Sequence, residues 1–316
     1  MKTRFIFNPY SGRNRRRPGL AQSIRDFIRT RSLDAELAMT EGPKHGTELA
    51  REAVLAGCEL VVAVGGDGTM NEVAQGLLHS PAALALVPCG SGNGLAWHLG
   101  LPRAPLDALN LIAGAGTGGR VAALDTGSAN GRPFFNVMGL GLDADVSQRF
   151  NTLTHRGLPG YLRTGFAAMR DIRHERVTIT TGTRSECVEI LLLSVANSDQ
   201  YGNNARIAPG ARVDDGALDL IAVQPVGLLA AAALTARLFL GNFDRSPHVR
   251  RFRGSHFRIE RCAPGVIHTD AETHQTGPVI EVAVHPRSLR VLIPATSRAV
   301  VRSTVPHGAM PALQLP

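Results

Sequence analysis

The chain has 316 residues, 44% hydrophobic and 19% charged, with 34 glycines and 19 prolines; this suits about two globular domains and excludes a mostly disordered polymer. Its 34 basic and 26 acidic residues leave a net charge of +8, so the expected partners are acidic: phosphate ligands, an anionic membrane surface or nucleic acid. Four scattered cysteines without a CxxC pair predict a reduced, cytosolic protein with no zinc framework, and no segment reads as a signal peptide or a transmembrane span.

Residues 1–125 alternate strand and helix signals. Arg4–Phe7 reads as a strand, and Leu20, Ile24, Phe27 and Ile28 share one helical face. Ala35–Met39 is strand-like, and Thr47 can cap a helix ending near Gly57. Leu60–Val64 is a continuous β-prone run, as expected of a strand covered on both faces. A helix is predicted from Met70, a strand over Leu84–Val87 and a helix over Pro105–Ala113, which together imply a parallel sheet. Near Asp125 the pattern changes. Val177–Thr181, Val188–Val195, Leu218–Val223, Phe257–Glu260, Val279–Val284 and Leu289–Ile293 are strand-like, the last two flanking a His285–Ser288 turn that signals a hairpin. The divisions expected are an α/β domain over 1–125, a β-rich domain over 126–298 and a tail over 299–316. The one apolar helix of the second half, Leu228–Leu240, is alanine-rich in its middle and reads as core rather than as a membrane anchor.

Three polar, glycine-rich segments follow three of the N-terminal strands: Asn8–Gly12, Gly65–Thr69 and Pro88–Asn93. The carboxyl ends of parallel strands lie along one edge, so these loops should converge on one crevice. Glycines in the middle loop let backbone N–H groups approach phosphate oxygens, and the following helix adds its positive end. Asp67, an anion among such donors, makes sense if it acts through a cation such as Mg²⁺. The competing reading is a capping box formed by Thr69 and Glu72, which leaves the three glycines around Asp67 unexplained. No Walker A pattern occurs, and Gly114-x-Gly116-x-x-Gly119 follows a helix, so it reads as linker. Cys89 reads as a plain loop residue. The basic run Arg13, Arg15, Arg16 and Arg17 is either a solvated surface loop or a contact for anionic headgroups. Aromatic residues make up only 5% of the chain and interleave with no basic segment, which argues against nucleic acid.

The segment Val266–His274 places His268, Asp270, Glu272 and His274 at period two, on one face if extended. A solvated strand face, a metal cluster and a catalytic carboxylate are all open readings of it.

These motifs, taken in order, resemble the diacylglycerol kinase catalytic-domain family, which includes bacterial lipid kinases and sphingosine kinases. The resemblance rests on NPYSG, GGDGT with Asn71-Glu72, and PCGSGN. It continues through Phe135-Asn136-x-x-Gly139-x-Gly141-x-Asp143-Ala144, Ala208-Pro209, Asp214-Asp215-Gly216-x-Leu218 and Asp270-x-Glu272, spanning about residues 4 to 294. It implies a phosphofructokinase- or NAD-kinase-like α/β domain followed by an antiparallel, sandwich-like β domain. It also implies an ATP- and Mg²⁺-dependent lipid kinase acting on a diacylglycerol-like hydroxyl. Asn8, Thr40, Gly65, Gly66, Asp67, Gly68, Thr69, Met70, Asn71 and Ser91 would hold the nucleotide. Glu272 would be the general base, supported by Asp270, with Asp67 serving the metal. Asp215, with backbone oxygens of Arg212 and Ala217, matches a structural Mg²⁺ site. Ala271 stands where the family has glycine. The expected setting is cytoplasmic and peripheral to a membrane that supplies the lipid, with a homodimer left open. A soluble-substrate kinase resembling NAD kinase and a non-catalytic nucleotide or lipid sensor are the alternative functions.

Overall fold

The computed structural model describes residues 1–12, 14–17, 19–114, 118–145 and 174–300. In the N-terminal half, β1 (Thr3–Phe7), β2 (Ala35–Met39), β3 (Leu60–Gly65) and β4 (Ala83–Pro88) form a parallel sheet in the order β2-β1-β3-β4. β3 and β4 are apolar throughout because helices cover both faces, and every residue in them is buried. α2 (His45–Leu55), α3 (Asp67–Leu77) and α4 (Gly94–His98) pack Ala50, Ala53, Val73, Leu77 and Leu95 on one face. α1 (Leu20–Thr30) and α5 (Pro105–Ala113) cover the other with Ile24, Leu109 and Ile112. Two helix starts differ from expectation. α3 opens at Asp67 rather than Met70, and α2 opens at His45, before Thr47. The capping box is absent. The Glu72 carboxylate instead accepts the N–H groups of Lys44 (2.9 Å) and Gly46 (3.0 Å), satisfying orphan donors at the start of α2.

Two long strands join the halves. β5 (Gly119–Ala129) runs antiparallel to β16 (Val279–Pro294), whose last turn of pairing sets Arg290 and Val291 beside Ala83 and Leu84 of β4. The composition shift near Asp125 therefore falls inside β5, and residues 289–294 return to the α/β sheet. The expected hairpin at His285–Ser288 is overturned, because the segment is a bulge within one strand and pairing with β5 resumes on its far side. Arg287 takes a left-handed φ of 54° there, and its N–H donates to Asp125 Oδ1 at 2.8 Å.

The second half is an antiparallel sandwich. β6 (Arg132–Phe134), β8 (Glu175–Thr181), β9 (Arg184–Ile190) and β13 (His256–Arg261) continue the first sheet through β5 and β16. The second sheet has the order β12-β11-β10-β7-β14-β15. Its strands are β7 (Val137–Gly141), β10 (Leu192–Ala196), β11 (Leu218–Val223), β12 (Val249–Gly254), β14 (Gly265–Thr269) and β15 (Glu272–Thr276). Phe134, Met138, Leu140, Val195, Leu220, Phe257 and Ile280 fill the space between the sheets. The run Val188–Val195, expected as one strand, breaks at Leu191, where the chain passes from the first sheet to the second. α6 (Leu228–Leu240) also departs from expectation. Only Ala231 and Leu234 are buried, and the opposite face lies open.

Candidate active site

The three glycine-rich loops meet at the carboxyl edge of the parallel sheet, as their positions predict. Asn8 Nδ2 donates to Thr69 Oγ1 (3.0 Å), joining the first loop to the second. Cys89, buried, donates its N–H to Gly65 O (2.7 Å), joining the third to the second. Gly66 and Gly90 need their missing side chains, since a Cβ on Gly90 would lie 2.6 Å from Gly66 Cα. Gly68 and Ser91 are exposed at the crevice, whereas the Met70 side chain packs into the core, leaving only its backbone toward the site. Thr40 ends β2 on the same edge, buried, with its N–H on Phe7 O.

Asp67 opens α3 and reaches sideways. Its Oδ2 accepts Asn93 N–H (2.7 Å) and its Oδ1 accepts Gly94 N–H (2.8 Å), so it caps α4 and fixes the third loop. Burial pushes its pKa above the ordinary carboxylate value, against the pull of those N–H groups. One helical turn on, Asn71 Nδ2 donates to Asp270 Oδ2 at 2.9 Å. That contact brings the acidic hairpin of the sandwich against the helix of the GGDGT loop.

Val266–His274 is not one extended strand. Thr269 pairs with Glu272, so Asp270 and Ala271 are a two-residue turn, and both take positive φ (48° and 68°), the signature of a type I′ hairpin. The expected single face for His268, Asp270, Glu272 and His274 is thereby overturned. His268 pairs with Thr273 and projects to the face opposite Glu272 and His274. Among the described residues no cluster of three or more His, Cys, Asp or Glu side chains exists to hold a metal. Asp270 is saturated: Oδ2 accepts Phe135 N–H (2.7 Å) and the Asn71 amide, and Oδ1 accepts the N–H groups of Asn136 (2.9 Å) and Val137 (3.0 Å). Burial pushes its pKa up while those backbone bonds oppose the shift. Glu272, two residues away, is exposed, and its carboxylate makes no hydrogen bond among the described residues.

The Arg212–Ala217 turn lies elsewhere, beside β12. Asp215 Oδ1 accepts Ala217 N–H (3.2 Å), and its other oxygen pairs with Arg253 and lies 3.9 Å from Arg212 Nε. A carboxylate already matched by a guanidinium does not fit a divalent cation, and we assign no metal to Asp215, Arg212 and Ala217. Asp125, which no local pattern singles out, ties this turn to the β16 bulge, accepting Gly216 N–H at 2.6 Å and Arg287 N–H at 2.8 Å. Sequence reading also missed a buried cluster behind the hairpin. Asp143 Oδ2 accepts the hydroxyls of Ser194 (2.5 Å) and Tyr201 (2.7 Å) and lies 3.3 Å from His268 Nε2. Gly139 leaves room for it, since a Cβ there would fall 2.7 Å from His268 Nε2. The signals were the Gly139-x-Gly141-x-Asp143 string, which carried the family resemblance without a role for Asp143, and the period-two spacing of His268, which pointed to the wrong face.

A parallel α/β unit with convergent phosphate-cradling loops, closed by an antiparallel sandwich, defines the class of two-domain kinases built on a GGDG loop. Residues 2–129 match the family described as "Diacylglycerol kinase catalytic domain", and residues 136–293 match "YegS C-terminal NAD kinase beta sandwich-like domain". The chain belongs to this family of diacylglycerol kinase and YegS-like lipid kinases. It is 27% identical over 279 residues to a "Diacylglycerol kinase" of Bacillus subtilis (strain 168), covering 86% of this chain and 89% of the relative. It is 31% identical over 253 residues to a "Probable lipid kinase YegS-like" of Pseudomonas aeruginosa (strain UCBPP-PA14), covering 79% and 81%. A crystal structure of a diacylglycerol kinase from Bacillus anthracis str. Sterne shares the fold with a TM-score of 0.71 at 20% identity, covering 94% of this chain and 98% of that one. No helix among the described residues is long and apolar enough to cross a membrane.

Proposed function

We propose that the protein transfers the γ-phosphoryl group of ATP to the hydroxyl of a diacylglycerol-like lipid, with Glu272 as general base. The observation that carries this reading is the Asn71–Asp270 hydrogen bond. It joins the turn before Glu272 to the helix whose first turn holds Asp67, which supports a phosphate on the loops meeting a hydroxyl at Glu272. Backbone N–H groups of Gly66 and Gly68 and the amino end of α3 orient the phosphates. Glu272, free of competing hydrogen bonds, takes the hydroxyl proton as oxygen attacks phosphorus in line and the bond to ADP breaks. Asp270 cannot share that role, because all its acceptor capacity is in use; it positions its neighbour.

Mg²⁺ fits at Asp67. Its two oxygens offer about four lone-pair sites and accept three backbone N–H groups, those of Asn93, Gly94 and Asp67 itself, so one site remains, and this ion characteristically takes one or two carboxylates and completes its shell with substrate phosphates and water. When bound it would offset charge developing on the phosphoryl oxygens. The net charge of +8 and the exposed Arg15 and Arg17 beside the first loop support a peripheral encounter with an anionic membrane.

The test is turnover of labelled ATP on hydroxylated lipids in mixed micelles, with NAD as a soluble competitor. Transfer to a lipid and a loss on the order of 10²–10⁴ in kcat for Glu272→Gln, with nucleotide affinity near wild type, are expected. Phosphorylation of NAD instead, or full activity of Glu272→Gln, overturns the reading.

A further inference from the structure

We propose that the open face of α6 is the surface on which the protein rests on an anionic bilayer. This rests on the lipid-kinase reading and names the part of the molecule that meets the lipid phase. Leu229, Ala232, Ala233, Ala236 and Leu240 recur at spacings of three and four, so they form one stripe along the helix. All five are exposed, Leu229 at 91% and Leu240 at 73%, and Leu228 beside them at 63%. On the opposite side Ala231 is buried, and Leu234 joins Val137, Ala196, Ile221 and Val223 of the second sheet in one apolar cluster. A helix with one apolar side already used by the core and a second presented to solvent needs another apolar phase.

Charge selects the occupant. No acidic residue occurs between Asp219 and Asp244, while Arg237 lies on the helix and two arginines stand exposed at its carboxyl end, Arg206, which Asp199 approaches at 3.6 Å, and Arg245, next to an Asp244 that is paired with Arg251. An apolar stripe bordered by cations and free of carboxylates suits the headgroup region of an anionic leaflet. Its size argues against a second copy of the chain. Thirteen helical residues span about 20 Å and about 10 Å across, a footprint of roughly 200 Å², against about 800 Å² per partner for a stable protein interface.

The face is also tied to the site. Arg206 N–H donates to Leu238 O (2.8 Å) and Asn204 Nδ2 to Phe239 O (3.3 Å), anchoring the 203–206 loop to the end of α6. Asn203 Nδ2 in the same loop donates to Ser91 O (2.7 Å) in the third phosphate loop. A helix resting on the bilayer therefore holds the nucleotide crevice at the interface where the acceptor hydroxyl emerges.

The test is co-sedimentation of the full chain with phosphatidylcholine vesicles containing a minority of phosphatidylglycerol, without nucleotide. The double variant Leu229→Ser/Leu240→Ser alters only exposed side chains, so its Tm should equal wild type. Its vesicle partition should fall about tenfold or more, given the apolar area each leucine loses. Leu55→Ser, equally exposed (87%) at the end of α2 near the opposite edge of the sheet, should change nothing. The proposal is overturned if the double variant partitions like wild type, if Leu55→Ser loses as much, or if wild type ignores anionic vesicles. It is equally overturned if wild type sediments as a dimer that the double variant dissolves. Turnover on detergent-dispersed lipid reports on the kinase reading separately, so either can fail without the other.

Discussion

Ala271 is the point at which the hairpin's geometry and its sequence disagree, and replacing it by glycine should stabilise the protein. At φ 68° the Cβ of Ala271 crowds the backbone, a cost of roughly 1–2 kcal/mol that glycine does not bear. Glycine surrenders about 0.5–1 kcal/mol through the greater freedom of its unfolded chain. Ala271 is exposed, so no packing is lost, and its N–H bond to His268 Nδ1 at 3.3 Å survives the change. The net gain is about 0.5–1 kcal/mol, seen as a higher urea midpoint at unchanged m, and as a Tm rise of about 1–2 °C for a chain of this length. Two controls separate turn strain from general flexibility. Ala271→Val should cost stability, since a β-branched residue tolerates positive φ worst. Ala129→Gly, in the buried strand β5, should cost about 1 kcal/mol. A midpoint for Ala271→Gly equal to or below wild type refutes the type I′ assignment and, with it, the placement of Glu272.

The other predictions address the groups around that turn. Asp270→Asn puts an NH₂ group against the fixed N–H of Phe135 or of Asn136 and Val137, and should lower stability by about 1–3 kcal/mol in urea unfolding; a neutral result removes Asp270 as the link between halves. EDTA should leave the Tm of the nucleotide-free protein unmoved, whereas Arg253→Gln, which frees Asp215, should lower it and make it sensitive to Mg²⁺; a large EDTA effect on wild type restores the metal at that turn. Burial pushes Asp199 up, but the hydrogen bond and charge of His98, with Arg206 and Gln200, outweigh it and hold the carboxyl below its ordinary value. Its stabilising contribution is therefore complete above the unfolded carboxylate pKa, near 4, and is lost as pH falls through the lower folded value. Acid unfolding curves of Asp199→Asn should be flatter in that window, and identical slopes would show the pair to be unimportant.

What sequence alone made legible was what repeats locally. The continuous apolar runs of β3 and β4, the face of α1 and the three loops at one sheet edge all follow from periods of a few residues. Long-range assembly did not follow. The β16 bulge resembled a hairpin turn because Pro286 and Arg287 interrupt the pattern, while the partner that keeps the strand continuous, β5, lies some 160 residues earlier. Glu72 matched a capping box by spacing, yet its carboxylate serves a different helix. α6 reads as core in sequence because an alanine-rich apolar run looks the same whether a neighbour covers one side or both.

The sharpest case is the pair Asp270 and Glu272. They are chemically alike, two residues apart, and indistinguishable by composition or period. The hairpin register assigns one to the turn, where donors 133 to 199 residues away in sequence saturate it, and the other to the first strand position, where none does. Moving the turn on by one residue, to 271–272, would take Asp270 out of it and put Glu272 into it. On the proposed reading, the conformational demand at Ala271 therefore bears on catalysis as well as stability, since holding the turn at 270–271 keeps one carboxylate structural and leaves the other without a hydrogen-bond partner.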